Sequence, residues 1–203
     1  AIDSGALLQS SVSLGVKQAV PIVGASGAPG MGVQTNFIYG TLSSFEQCEK
    51  SDVWVTYRAE MVPRLWRLSC IQRSRIFQNV TVQQIVEEVL QDHGFAAPDD
   101  YEFRLTARTY ATREYVVQYQ ETDLNFVSRL LEHEGIFYFF DHTGTVEKAV
   151  FADAFSEFGP IFGTPALAYR VDSDGPAGPG PVDWSKPPYV YEFNMRHRVV
   201  PQE

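Results

Sequence analysis

Apolar positions recur along this chain with two periods. Over most of its length they alternate with polar ones, as in a strand; elsewhere they fall three and four apart, as in a helix. Val12, Leu14 and Val16 predict a strand within Ser11–Lys17. Thr35–Gln47 predicts another, with Phe37, Tyr39, Thr41, Ser43 and Phe45 on one face. Val53–Val62 follows, with Val53, Val55, Tyr57, Ala59 and Met61 opposite Trp54, Thr56, Arg58 and Glu60. The short polar link Glu46–Asp52 suits an antiparallel connection. Pro63 ends this strand, and Leu65–Phe77 is expected to continue the sheet.

The helical period is clearest in Asn79–Phe95. Thr81 and Gln84 have the spacing of a capping box, and Val80 and Ile85 that of a hydrophobic staple. Val82, Ile85, Val86, Val89 and Leu90 make one apolar stripe. Gly94 stops the helix, and His93 in its last turn is read as a cation facing the negative end of the dipole. After the turn Pro98–Asp100, Tyr101, Phe103, Leu105 and Ala107 alternate as a strand.

The stretch from Tyr115 to His142 reads as strand, helix, strand. Tyr115, Val117 and Tyr119 alternate with Val116, Gln118 and Gln120. Thr122 or Asp123 can cap a helix carrying Leu124, Val127, Leu130 and Leu131, and Gly135 can end it in the left-handed conformation. The aromatic run Ile136–Phe140 is then a strand, expected to bury the helix face beside it and to pair with Val146–Phe151 across Asp141–Gly144.

Breakers mark the remainder. Residues 19–35, with Pro21, Gly24, Gly27, Pro29, Gly30 and Gly32, read as a loop. Gly27–Gly32 lacks the Gly-Lys-Ser/Thr ending of a phosphate-cradling loop. Asp153–Arg170 is irregular, and Asp172–Pro188 is a Gly/Pro-rich linker or long loop. Tyr189, Tyr191, Phe193 and Met195 then alternate as a last strand. The fold class is α+β, mainly β, with two amphipathic helices.

Composition narrows the function. Of 203 residues, 44% are hydrophobic, enough for a sizeable core. A net charge of −9 with no long basic cluster disfavours nucleic acid and anionic membrane surfaces. No apolar run approaches the ~20 residues that span a bilayer, so no stable membrane insertion is expected. No signal peptide is apparent at the start. Cys48 and Cys70 lie in strand-like segments and are read as reduced, half-buried thiols, with a cross-strand disulfide as the alternative.

No catalytic motif stands out. His93, His133, His142 and His197 are dispersed, and no His-Glu-x-x-His, Gly-x-Ser-x-Gly or Cys-x-x-Cys is present. Glu87-Glu88 and Asp99-Asp100 are read as solvated surface. The residues therefore favour a structural or interaction protein over an enzyme, with no catalytic or metal site and no cofactor. A cell-wall or glycan hydrolase and a monomeric adhesive β-domain stay open as alternatives.

One long string is more specific. Tyr119–Phe140, reading Tyr-Gln-Glu-Thr-Asp-Leu-Asn-Phe-Val-Ser-Arg-Leu-Leu-Glu-His-Glu-Gly-Ile-Phe-Tyr-Phe-Phe, resembles the hub region of VgrG proteins, spike components of bacterial type VI secretion systems. Tyr39–Glu46, Tyr57–Leu68, Arg75–Val86 and Arg196–Glu203 resemble further hub segments. The resemblance implies a hub similar to those of contractile phage tails, built of β-barrel modules around a small α/β part. Residues 1–78 would be a partial first barrel, 79–171 the α/β insert, 172–188 a loop, and 189–203 the start of the return to a second barrel. It also implies a homotrimer that seats on the hexameric Hcp tube, carries contraction force, and meets effector and baseplate proteins. Such a protein assembles in the bacterial cytoplasm and leaves through the apparatus. The expected assembly contacts are Phe37, Tyr39, Phe45, Trp54, Tyr57, Tyr191 and Phe193.

Overall fold

A computed structural model describes residues 7–23, 29–50, 54–106, 108–159, 168–169 and 189–190. The chain divides into two compact units, Ala1–Leu14 with Phe37–Phe158, and Gly15–Asn36 with Gly159–Glu203. The described residues are mainly β. The strands are β1 (Ser11–Val23), β2 (Pro29–Lys50), β3 (Val55–Val62), β4 (Gln72–Val80), β5 (Tyr101–Arg104), β6 (Arg113–Thr122), β7 (Phe137–Asp141), β8 (Lys148–Ala152), β9 (Ala168–Tyr169) and β10 (Tyr189–Val190). The helices are α1 (Val82–Asp92) and α2 (Asp123–Glu134), with short 3-10 helices at Arg64–Cys70 and Phe155–Glu157.

Strands group as β1-β2-β3, β4-β6, β5-β8-β7 and β9-β10. β3 runs antiparallel to β2, β4 to β6, and β7 to β8, whereas β5 runs parallel to β8. The hairpin expected between Ile136–Phe140 and Val146–Phe151 is present as β7 and β8. All these sheets are open among the described residues.

Both helices start and stop where their capping residues dictate. The Thr81 hydroxyl accepts the Gln84 N–H, and the Gln84 side chain accepts the Thr81 N–H, so two otherwise orphaned donors are satisfied. Thr122 likewise accepts the Asn125 N–H at the start of α2. Gly135 ends α2 with φ 67°, a left-handed conformation that costs glycine little. Val82, Ile85, Val86, Val89 and Leu90 are all buried in the main core, as the stripe predicts.

The core of the larger unit forms where α1 and α2 meet the Arg64–Cys70 helix, β4, β6 and the β5-β8-β7 sheet. Phe77 and Phe126 stack inside it, ring centroids 5.5 Å apart. Fully burying each such apolar side chain stabilises the fold by roughly 1.5–3 kcal/mol before chain entropy is counted.

Four expectations are corrected. Residues 19–23 and 29–35, read as loop, belong to the long strands β1 and β2 despite their prolines and glycines. The segment 64–70, read as sheet, is a 3-10 helix that buries Leu65 and Leu68 three residues apart. Helix α2 packs chiefly on that 3-10 helix, α1 and β6; Tyr138 and Phe140 of β7 cover the same core but do not bury α2 alone. Cys48 and Cys70 are free and exposed, neither half-buried nor bridged. Asp172–Pro188 and the strand beyond Val190 lie outside the described residues.

Candidate assembly interface

Of the expected contact residues, Phe37, Tyr39 and Phe45 lie on β2 and Tyr57 on β3. Residues 55–60 of β3 are exposed on both of its faces. The register explains how the aromatics are shared between those faces. Leu42 opposes Met61 but Ser44 opposes Glu60, so Ser43 is an extra residue in β2. Side chains alternate along a strand, so one inserted residue reverses the face of everything after it. Phe45 therefore shares the Tyr57 face, with ring centroids 5.3 Å apart. Phe37 and Tyr39 stack on the opposite face at 6.2 Å. The expectation of one face carrying Phe37, Tyr39 and Phe45 together is thus corrected by the bulge. Trp54, 69% exposed, sits just ahead of β3. Tyr191 and Phe193 lie outside the described residues.

Close approach of the two strands depends on Gly40. A Cβ there would meet the Val62 carbonyl oxygen at 2.7 Å and the Met61 Cγ at 3.0 Å. The base of the ribbon is also tied to the rest of its unit, where the Tyr39 N–H donates to Nδ1 of His142 at 3.2 Å.

Two polar clusters accompany this surface. Asp123, fully buried at the start of α2, accepts from the Gln118 amide at 2.8 Å and the Arg75 guanidinium at 3.2 Å. It also pairs with Arg73 at 3.3 Å and His93 at 2.7 Å. His93 stands at the C-cap of α1, and its ring also contacts Asp123, which the sequence did not suggest. Asp92 holds the outer sides of both arginines. This arrangement ties the end of α1 and the start of α2 to β4 and β6.

The second cluster surrounds a cleft of about 250 Å³ lined by residues that include Ser11, Ser13, Tyr39, Arg64, Val146 and Glu147. Glu147 is 6% exposed. Burial pushes its carboxyl up to about 7, against the opposing effect of Arg64. Its Oε1 accepts the Arg64 N–H at 2.9 Å. The Arg64 guanidinium pairs with Asp100 and lies over the Phe95 ring, so Asp100 is not the solvated turn residue expected. Sequence patterns did not signal either cluster, because the partners come from four or more separate elements.

Among the described residues no group of three or more His, Cys, Asp or Glu side chains could hold a metal ion. No helix among them is long and apolar enough to cross a membrane.

The family described as phage tail baseplate hub (GPD) matches residues 1–203. The chain belongs to that family. Two curated relatives of this hub chain come from Pseudomonas aeruginosa. The type VI secretion system spike protein VgrG4b is 41% identical over 136 residues, 67% of this chain and 16% of the relative. Spike protein VgrG5 is 40% identical over 121 residues, 60% of this chain and 15% of the relative. The hub chain thus spans about one sixth of these relatives. It also resembles the solved E. coli c3393 protein, described as a component of the type VI secretion system with structural similarity to the T4 tail proteins gp27 and gp5. That match has a TM-score of 0.58 and 23% identity, covering 82% of this chain and 50% of the other; it supports the mainly β hub fold.

Proposed function

We propose that this hub chain is the ring-forming part of a type VI secretion spike protein. Three copies assemble, their β-barrel modules form a ring that seats on the hexameric Hcp tube, and the ring carries contraction force outward during effector delivery. Residues 1–78 contribute the first barrel, 79–171 the α/β insert, 172–188 a connecting loop, and 189–203 lead into the second barrel. The role is structural and not catalytic. The protein assembles in the cytoplasm, meets baseplate and effector proteins there, and leaves through the apparatus.

The observation that carries this reading is the β2–β3 ribbon in a chain of hub family. A cluster of exposed apolar rings on a sheet marks an interaction surface. Here Phe37 of β2, Tyr57 of β3 and Trp54 just ahead of β3 remain exposed, with Tyr39 and Phe45 beside them. Neighbouring barrel strands from the same trimer would cover these rings, together with Tyr191 and Phe193.

Native mass spectrometry of the complete spike protein tests the assembly. Three copies support it, and a monomer that binds ligand would favour an adhesive domain. Turnover of peptidoglycan or glycans by the hub would favour a hydrolase.

A further inference from the structure

The turn between β7 and β8 is fastened at both of its ends. At one end, Nδ1 of His142 accepts the Tyr39 N–H of β2 at 3.2 Å. At the other, Oε1 of Glu147 accepts the Arg64 N–H, at the start of the 3-10 helix that follows β3, at 2.9 Å. Between the two fastenings, residues 143–146 are exposed, and Thr145 and Val146 wall the cleft whose other side is Ser11–Ser13 and Tyr39. The hairpin beyond the turn is anchored separately, because Val150 and Phe151 are fully buried. The turn can therefore let go while β7 and β8 stay in place.

The two acceptors differ chemically. A carboxyl group keeps an acceptor oxygen in either protonation state. An imidazole nitrogen accepts only while it carries no proton, and a protonated ring presents donors at both nitrogens. A protonated His142 would point an N–H at the Tyr39 N–H.

We propose that the β7–β8 turn is a proton-gated clip: it holds the turn on the β1-β2-β3 sheet while His142 is neutral and releases that end, widening the cleft, when His142 is protonated. The groups that face the clip agree with this. The Tyr39 ring lies 6.2 Å from the imidazole. Asp141 is the neighbouring anion, and its own charge is stabilised chiefly by the Thr143 N–H, with Arg104 and Lys148 adding to it. Burial holds the His142 pKa below its usual value, and Asp141 only partly offsets this. At the Glu147 end, the facing cation is Arg64, already paired with Asp100. The lining residues from β1, Ser11, Val12 and Ser13, carry no charge. The clip is therefore closed at neutral pH and opens on acidification from the His142 end.

The test is NMR of the isotopically labelled 203-residue chain, following the His142 ring proton and the Tyr39 amide from pH 8 to pH 4. The two should share a midpoint, with the Tyr39 amide losing protection on the order of 10-fold, the scale of one lost hydrogen bond. The Leu90 and Val150 amides should stay protected. His142→Asn retains an acceptor without a titrating group, and should keep Tyr39 protected throughout. A Tyr39 amide that stays protected while His142 titrates would overturn the clip. So would a His142 ring still neutral at pH 4, His142→Asn behaving like the wild type, or Val150 losing protection at the same midpoint.

Discussion

His93 Nε2 lies 2.7 Å from Oδ2 of Asp123, both side chains buried, one closing α1 and the other opening α2. The two residues are 30 positions apart. Their contact fixes the end of one helix to the start of the next. Arg73 and Arg75 bring β4 to the same carboxylate, and Gln118 brings β6. Four side chains from three other elements thus meet at position 123.

Replacing Asp123 with Ala should lower stability by about 3–5 kcal/mol, the usual cost of leaving buried partner charges uncompensated. Urea unfolding of the variant beside the wild type measures it. A loss under about 1 kcal/mol, the range of exposed pairs, would mean that the two arginines reach solvent instead.

Glu147 gives the stability a pH dependence opposite to that of most carboxylates. Its ordinary pKa of 4.5 rises to about 7 in the fold. Between those values the folded chain binds the extra proton, so the contribution is full below pH 4.5 and is lost as pH rises through 7. The loss should be on the order of 3–4 kcal/mol, since the rise is about 2.5 pKa units and one unit is about 1.4 kcal/mol. Glu147→Gln should remove this slope in denaturant melts between pH 5 and pH 8. His142 acts in the other direction: its pKa is depressed, so its contribution is present above its ordinary value of 6.5 and is lost as pH falls.

Gly40→Ala should loosen the β2–β3 ribbon. The added methyl would press on the Val62 carbonyl, which is backbone and cannot swing aside. A loss of about 1–3 kcal/mol is expected, the usual scale of overpacking. Faster amide exchange at Thr41, Leu42 and Met61 would locate the change, whereas unchanged exchange there would show that the strands part at no cost.

Both helices were legible because their signals are local. Thr81 with Gln84, Thr122, and Gly135 sit beside the turns they cap, and the α1 stripe is continuous in sequence. The β7–β8 hairpin was legible for the same reason. The 3-10 helix carries a signal of its own, since Leu65 and Leu68 have its three-residue period. Phe126 was also absent from the predicted α2 face, although it lies four residues before the buried Leu130. Other features could not be read from local pattern. Alternation in β6 does not say which face is inward, and the structure buries Val116 and Gln118 while Tyr115 and Tyr119 face solvent. Gln118 is inside because Asp123 is there to accept from it. The bulge at Ser43 leaves no mark in composition, yet it decides that Phe45 faces Tyr57. The prolines and glycines of 19–35 suggested a loop, but pairing between long strands overrode local preference.

Co-sedimentation of the complete spike protein with hexameric Hcp tubes, wild type against Trp54→Asp/Tyr57→Asp, tests the hub reading most directly. The account predicts that the wild type pellets with the tube and that the folded double variant stays in the supernatant. A double variant that seats on the tube as well as the wild type would contradict it.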